Sequence, residues 1–123
     1  MRLFVVLGSL NALFSVAAGA FGAHALKARL PADRLAVFEV AARYHMYHAL
    51  GLLAVAWLAA RGAPGASLAG WAMQAGIVVF SGSLYLLAFF SGTRWLGVVT
   101  PLGGLCFMVG WAAFAWAAIR MGR

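Results

Sequence analysis

A chain of 123 residues that is 66% apolar and only 9% charged has too few solvating side chains for a soluble domain, in which roughly a quarter of residues are charged. Nine basic residues against two acids, Asp33 and Glu39, give a formal charge of +7, but the basic residues stand singly between apolar runs. That spacing suits anionic headgroups and excludes a nucleic-acid surface, and the lone Cys106 excludes an intramolecular disulfide.

The first apolar run, residues 3–26, contains no Asp, Glu, Lys or Arg. It exceeds the about 20 apolar residues a helix needs to cross a hydrocarbon core of about 30 Å. Arg2 ahead of it and small residues near its end (Ala18-Gly19-Ala20, Ala23-His24-Ala25) imitate a cleavable secretory signal. Signal cores are shorter, roughly 7–15 residues, so the run reads as a retained first span. Gly8, Ala12, Ser15, Gly19 and Gly22 recur along one helical face of it. Lipid gives helices no hydrophobic reason to associate, so close contact across small residues is expected to hold this face in the bundle. Asn11 is expected to pair across helices.

Lys27, Arg29 and Pro31 form a basic connection to residues 32–43. There Leu35, Val37, Phe38 and Ala41 alternate with Asp33, Arg34, Glu39 and Arg43 at roughly helical spacing. Pro31 suits a helix start, and the acids suit the positive end of its dipole. The segment reads as a short interfacial helix leading into a second span at residues 44–60. Arg61-Gly62-Ala63-Pro64-Gly65 is a compact turn.

A third span is expected at residues 68–90. Its small residues Ala69, Ala72, Gly76 and Ser83 form a similar stripe, broken by Val79. Gln74 is its one amide and is expected to pair across helices. The hydroxyls of Ser81, Ser83 and, in the fourth span, Thr100 are expected to bond carbonyls of their own or adjacent helices. Ser91-Gly92-Thr93-Arg94 is too short to join anything but an antiparallel pair. The fourth span covers residues 95–119, with Pro101 beside Gly103-Gly104 expected to kink it. The five tryptophans read as an aromatic belt near span ends. No run alternates apolar and polar residues as barrel strands do.

The expected fold is therefore an all-α membrane protein, a single integral domain over residues 1–123. It is a four-transmembrane-helix bundle of two antiparallel hairpins, with a short interfacial helix before the second span. Four spans place Arg2, Arg61, Arg120 and Arg123 on one face and Lys27, Arg29, Arg34, Arg43 and Arg94 on the other. Weighting the first hairpin puts the first loop in the cytoplasm and both termini outside.

Ionisable groups are costly inside a membrane and are functional candidates by default. All three histidines, both acids and four basic residues lie between His24 and His48. His24, Glu39, Arg43, Tyr44, His45, Tyr47 and His48 form the candidate functional cluster, with His24 expected to meet His48 or Tyr44 across the first hairpin. Two histidines three residues apart plus a third could ligate zinc, copper or haem iron. A bland reading has them bonding loops and headgroups at the interface. No nucleophile, base and orienting group can be assembled, so no catalytic residue is assigned.

Gly19-Ala-Phe-Gly-Ala-His24-Ala-Leu26, Arg43-Tyr-His-Met-Tyr-His48-Ala-Leu50, Phe80-Ser-Gly-Ser-Leu-Tyr85 and Thr100-Pro-Leu-Gly-Gly104 occur in this order. Together they resemble the YgdD/YwdK-like small bacterial membrane proteins, a family of unknown function with mitochondrial relatives. The resemblance covers nearly the whole chain and implies a four-span bundle. In the family pattern His24 and His48 match, whereas the position of His45 commonly holds Gln, which weakens a three-histidine metal site.

These readings make the chain a non-enzymatic accessory or scaffold subunit of the bacterial inner membrane. Its expected partners are the lipid bilayer and other membrane subunits or itself, with no cofactor and no nucleic acid. A small channel or transporter for a neutral solute is the alternative. A histidine-ligated metal or haem protein is the second alternative.

Overall fold

Where the sequence runs apolar the backbone coils into long helices. A computed structural model describes residues 1–90 and 92–122. It contains α1 (Arg2–His24), α2 (Ala32–Ala60), α3 (Ala66–Phe89) and α4 (Leu96–Arg120), with no strand among the described residues. Ser91, read as part of the second hairpin turn, and Arg123, read among the basic residues of the terminal face, lie outside the described residues.

A 3₁₀ turn, Leu26–Ala28, links α1 to Pro31, which sits just ahead of α2 with Asp33 in the first helical turn. At the far end of α2, the Ala63 amide bonds the Leu58 carbonyl and the Gly62 amide bonds that of Ala59. This is a Schellman closure, and it needs the left-handed backbone that Gly62 supplies at φ 68°. Gly65, at φ 88°, then turns the chain into α3.

One expectation is corrected here. Residues 32–43 do not form a separate interfacial helix, because α2 runs unbroken from Ala32 to Ala60. The charges that suggested an interface belong to the first half of this continuous helix, where Asp33, Glu39 and Arg43 are exposed. α3 contains a π turn at Ile77–Ser81. There the Gly82 amide reaches back to the carbonyl of Ile77, five residues earlier. α4, by contrast, is one continuous helix through Pro101.

Glycine contacts set the register of the bundle. Beside α1, Gly8 lies against Leu53 and the Ala49 carbonyl, and Gly22 lies against the Phe38 ring. α1 and α2 are therefore antiparallel. In the second hairpin Gly103 lies against the backbone of Phe80, Gly76 receives the Phe107 ring, and Gly110 receives Met73. Gly51 of α2 also meets Met73. α2 contacts all three other helices, and Ala41, Ala49, Leu52, Val55 and Leu58 on it are fully buried. Phe4, Leu52, Val55, Met73, Ile77 and Phe107 make the main core.

By length and composition α1, α3 and α4 can cross a membrane. α2 is the longest helix but falls outside that set. Asp33, Arg34, Glu39, Arg43, His45 and His48 lower its mean hydropathy. The most polar of the four helices is thus the one at the centre.

Candidate functional site

The centre of the bundle holds a chain of hydrogen bonds across three helices. Its polarity follows from one fixed acceptor. The Leu7 carbonyl can only accept, so the group of Asn11 that meets it at 2.8 Å is the amide nitrogen. The same nitrogen donates to Oε1 of Gln74 at 2.9 Å. The remaining Oδ1 of Asn11 must accept, so Nε2 of His45, at 2.9 Å, is the donor. Nδ1 of His45 then accepts from the Tyr85 hydroxyl at 3.1 Å. The partners assign a single neutral tautomer to His45.

His48 faces the other way. The Trp111 indole only donates, so Nε2 of His48 accepts from it at 3.1 Å. Nδ1 donates to the Tyr44 carbonyl one turn back, at 2.7 Å. The ring stacks on Phe107 with centroids 3.4 Å apart and planes 8° apart. A second proton on His48 would set two donors against each other at Trp111.

Hydroxyls complete the stitching. Ser15 of α1 donates to the Ala42 carbonyl at 2.7 Å, and Ser81 of α3 donates to the neighbouring Ala41 carbonyl at 2.9 Å. Ser83 meets Thr100 of α4 at 2.6 Å. The π turn matters here: its extra residue rotates the second half of α3 relative to the first, and Ser81 and Tyr85 then face α2. Asn11, Gln74 and the hydroxyls thus do what their positions inside apolar runs imply.

The structure divides the residues read as one cluster. His45 bonds Asn11, thirteen residues before the His24 end of α1, so about 20 Å of helix separates the two histidines. His24 is exposed at the end of α1 and meets neither His48 nor Tyr44. The reason is register: Gly22 lies against Phe38 and Ser15 against Ala42, so the end of α1 is level with the start of α2 and not with His48. Glu39 and Arg43 are exposed and line a groove between α1 and α2. Tyr44 and Tyr47 line another between α2 and α4, with His48 and Trp111. A third groove, of about 440 Å³, lies between α1 and α3 over His45 and Tyr85.

The packing residues also divide. Gly8, Ser15, Gly22, Gly76 and Ser83 are buried and Ala12 is half-buried. A Cβ on Gly19 would meet nothing within 4 Å, so Gly19 packs no helix of this chain. Trp111 was missed as a site residue. It was counted in the aromatic belt, although it lies well inside its apolar run, and that position was the available signal.

Residues 18–104 match the family described as "Protein of unknown function (DUF423)". The chain is 48% identical over 122 residues to the UPF0382 membrane protein YwdK of Bacillus subtilis, covering 98% of each. It is 48% identical over 111 residues to a UPF0382 membrane protein of Staphylococcus saprophyticus, covering 90% of this chain and 92% of the relative. A UPF0382 membrane protein of Staphylococcus epidermidis is 42% identical over 120 residues, 98% of each. No solved structure matches the chain.

Proposed function

The chain belongs to the DUF423 family of membrane proteins, and on that premise we propose a four-span integral protein with a non-enzymatic role. It serves as an accessory or assembly partner for membrane subunits in the bacterial cell membrane. α2 is the fourth span. Three apolar helices shield much of it from lipid, so a lower hydropathy is tolerated there, and its histidines find their partners inside the bundle. The first loop faces the cytoplasm and both termini face outward.

One observation carries the non-enzymatic reading. Among the described residues, no buried side-chain nitrogen or oxygen lacks a hydrogen-bond partner. The polar groups of the interior are engaged in joining helices, which supports a packing role over a catalytic or conducting one. The metal alternative is weakened by the same geometry. His45 bonds Asn11 of α1 and Tyr85 of α3 whereas His48 bonds Trp111 of α4, and no three His, Cys, Asp or Glu among the described residues come together.

Cross-linking in native membranes, followed by mild-detergent purification and mass spectrometry, tests this role. A membrane protein recovered at near-equal stoichiometry is the expected result. Solute flux into proteoliposomes above that of empty vesicles would overturn it in favour of the channel reading.

A further inference from the structure

Glu39, Arg43 and Tyr47 follow one another at intervals of four along α2, and all three are exposed. Depth makes this unusual. Ala42, beside Arg43, accepts from Ser15, nine residues before the end of α1 at His24. Arg43 therefore lies about 13 Å inside the bundle end. Glu39 lies one turn nearer that end. A charge facing outward at such depth is costly unless something meets it. Tyr47 is 51% exposed deeper still, where lipid offers its hydroxyl no partner.

The flanks of this stripe are open. The groove on the α1 side, about 280 Å³, is lined by Ser15, Gly19, Glu39 and Arg43. The groove on the α4 side, about 650 Å³, is lined by Tyr44, Tyr47, Gly104 and Met108. Gly19 leaves a notch where a neighbouring helix can approach closely.

We infer that this face of α2 is where a second copy of the chain docks, with Arg43 of each copy paired to Glu39 of the other. The inference rests on the four-span reading above. Charge complementarity selects the occupant. The stripe carries one base and one acid a turn apart, so two copies related by a two-fold axis satisfy both charges twice. A lipid phosphate would meet the base and leave the acid unpaired. Tyr47 then lies close to the axis, its ring packed and its hydroxyl within reach of the facing helix.

The test uses the full chain in native membranes, with Cys106→Ser as background. Tyr47→Cys should form an oxidant-induced dimer several-fold more readily than Leu13→Cys, on a lipid-facing side of α1. Glu39→Arg and Arg43→Glu should each lower the dimer fraction, measured by photobleaching in liposomes, roughly tenfold. The double exchange should restore it, which also shows that the chain folds. Cross-linking no better than at Leu13, capture of a different protein at position 47, or a double exchange that stays monomeric would overturn the inference. A membrane-impermeant thiol reagent separates the two claims. If it labels Tyr47→Cys in sealed vesicles, α2 does not span and the four-span reading falls. If the thiol is shielded yet does not cross-link, the docking inference alone falls.

Discussion

At the residue scale, the interior is organised by side chains that donate at one end and accept at the other. His45 donates to Asn11 and accepts from Tyr85. A Gln can do the same, with its amide nitrogen toward Asn11 and its oxygen toward Tyr85. That equivalence gives a physical reason for the Gln that the family resemblance implies at this position. His45→Ala should therefore cost about 1–2 kcal/mol, because Asn11 and Tyr85 lose their partners. His45→Gln should recover most of it. Unfolding in mixed micelles checks both, and equal losses for the two variants would mean that the chain of bonds contributes nothing. Much of this was legible in the sequence. Asn11, Gln74 and the two histidines stand out as polar residues in apolar runs, where only another helix can satisfy them. Which partner each would find was not legible, since that depends on the register between helices. His24 shows the gap: it looked close to His48 only while the depth of α2 was unknown.

At the scale of elements, α2 and α3 depart most from the pattern their residues suggest. The charges at 33–43 belong to the first half of α2, which hydropathy reads apart from the apolar second half although one helix carries both. The π turn of α3 left one faint signal, the break at Val79 in the small-residue stripe, and none in proline placement. It brings the backbone at Phe80 against Gly103 of α4, where a Cβ would collide with the amide nitrogen and Cα of Phe80. Backbone cannot yield as a flexible side-chain tip can. Gly103→Ala should destabilise the bundle by about 1–3 kcal/mol through overpacking. Gly82→Ala, in open space at the end of the same π turn, should cost nothing. Thermal unfolding of the two variants side by side gives the comparison. Equal stability would show that α3 and α4 do not approach closely at this point. Of the small-residue stripe of α1, Gly8, Ser15 and Gly22 lie buried against α2, whereas Gly19 faces open space. Spacing alone cannot tell a face that packs inside the bundle from one left open.

At the scale of the whole molecule, the account places the most polar helix in the middle, with three apolar helices packed against it. That arrangement accounts for the closed hydrogen-bonding of the interior and for Glu39 and Arg43 facing outward. It also makes α2 a span, although composition alone picks out only α1, α3 and α4. The number of spans decides where the chain ends lie. Four crossings return the C-terminus to the side of the N-terminus, and three put the two on opposite sides. Reporter fusions at Met1 and at the C-terminal end, read together in intact cells, measure this directly. The account predicts both termini on the same side of the membrane, with the Arg61–Gly65 turn on that side and Lys27–Arg29 on the other. Termini on opposite sides would contradict it.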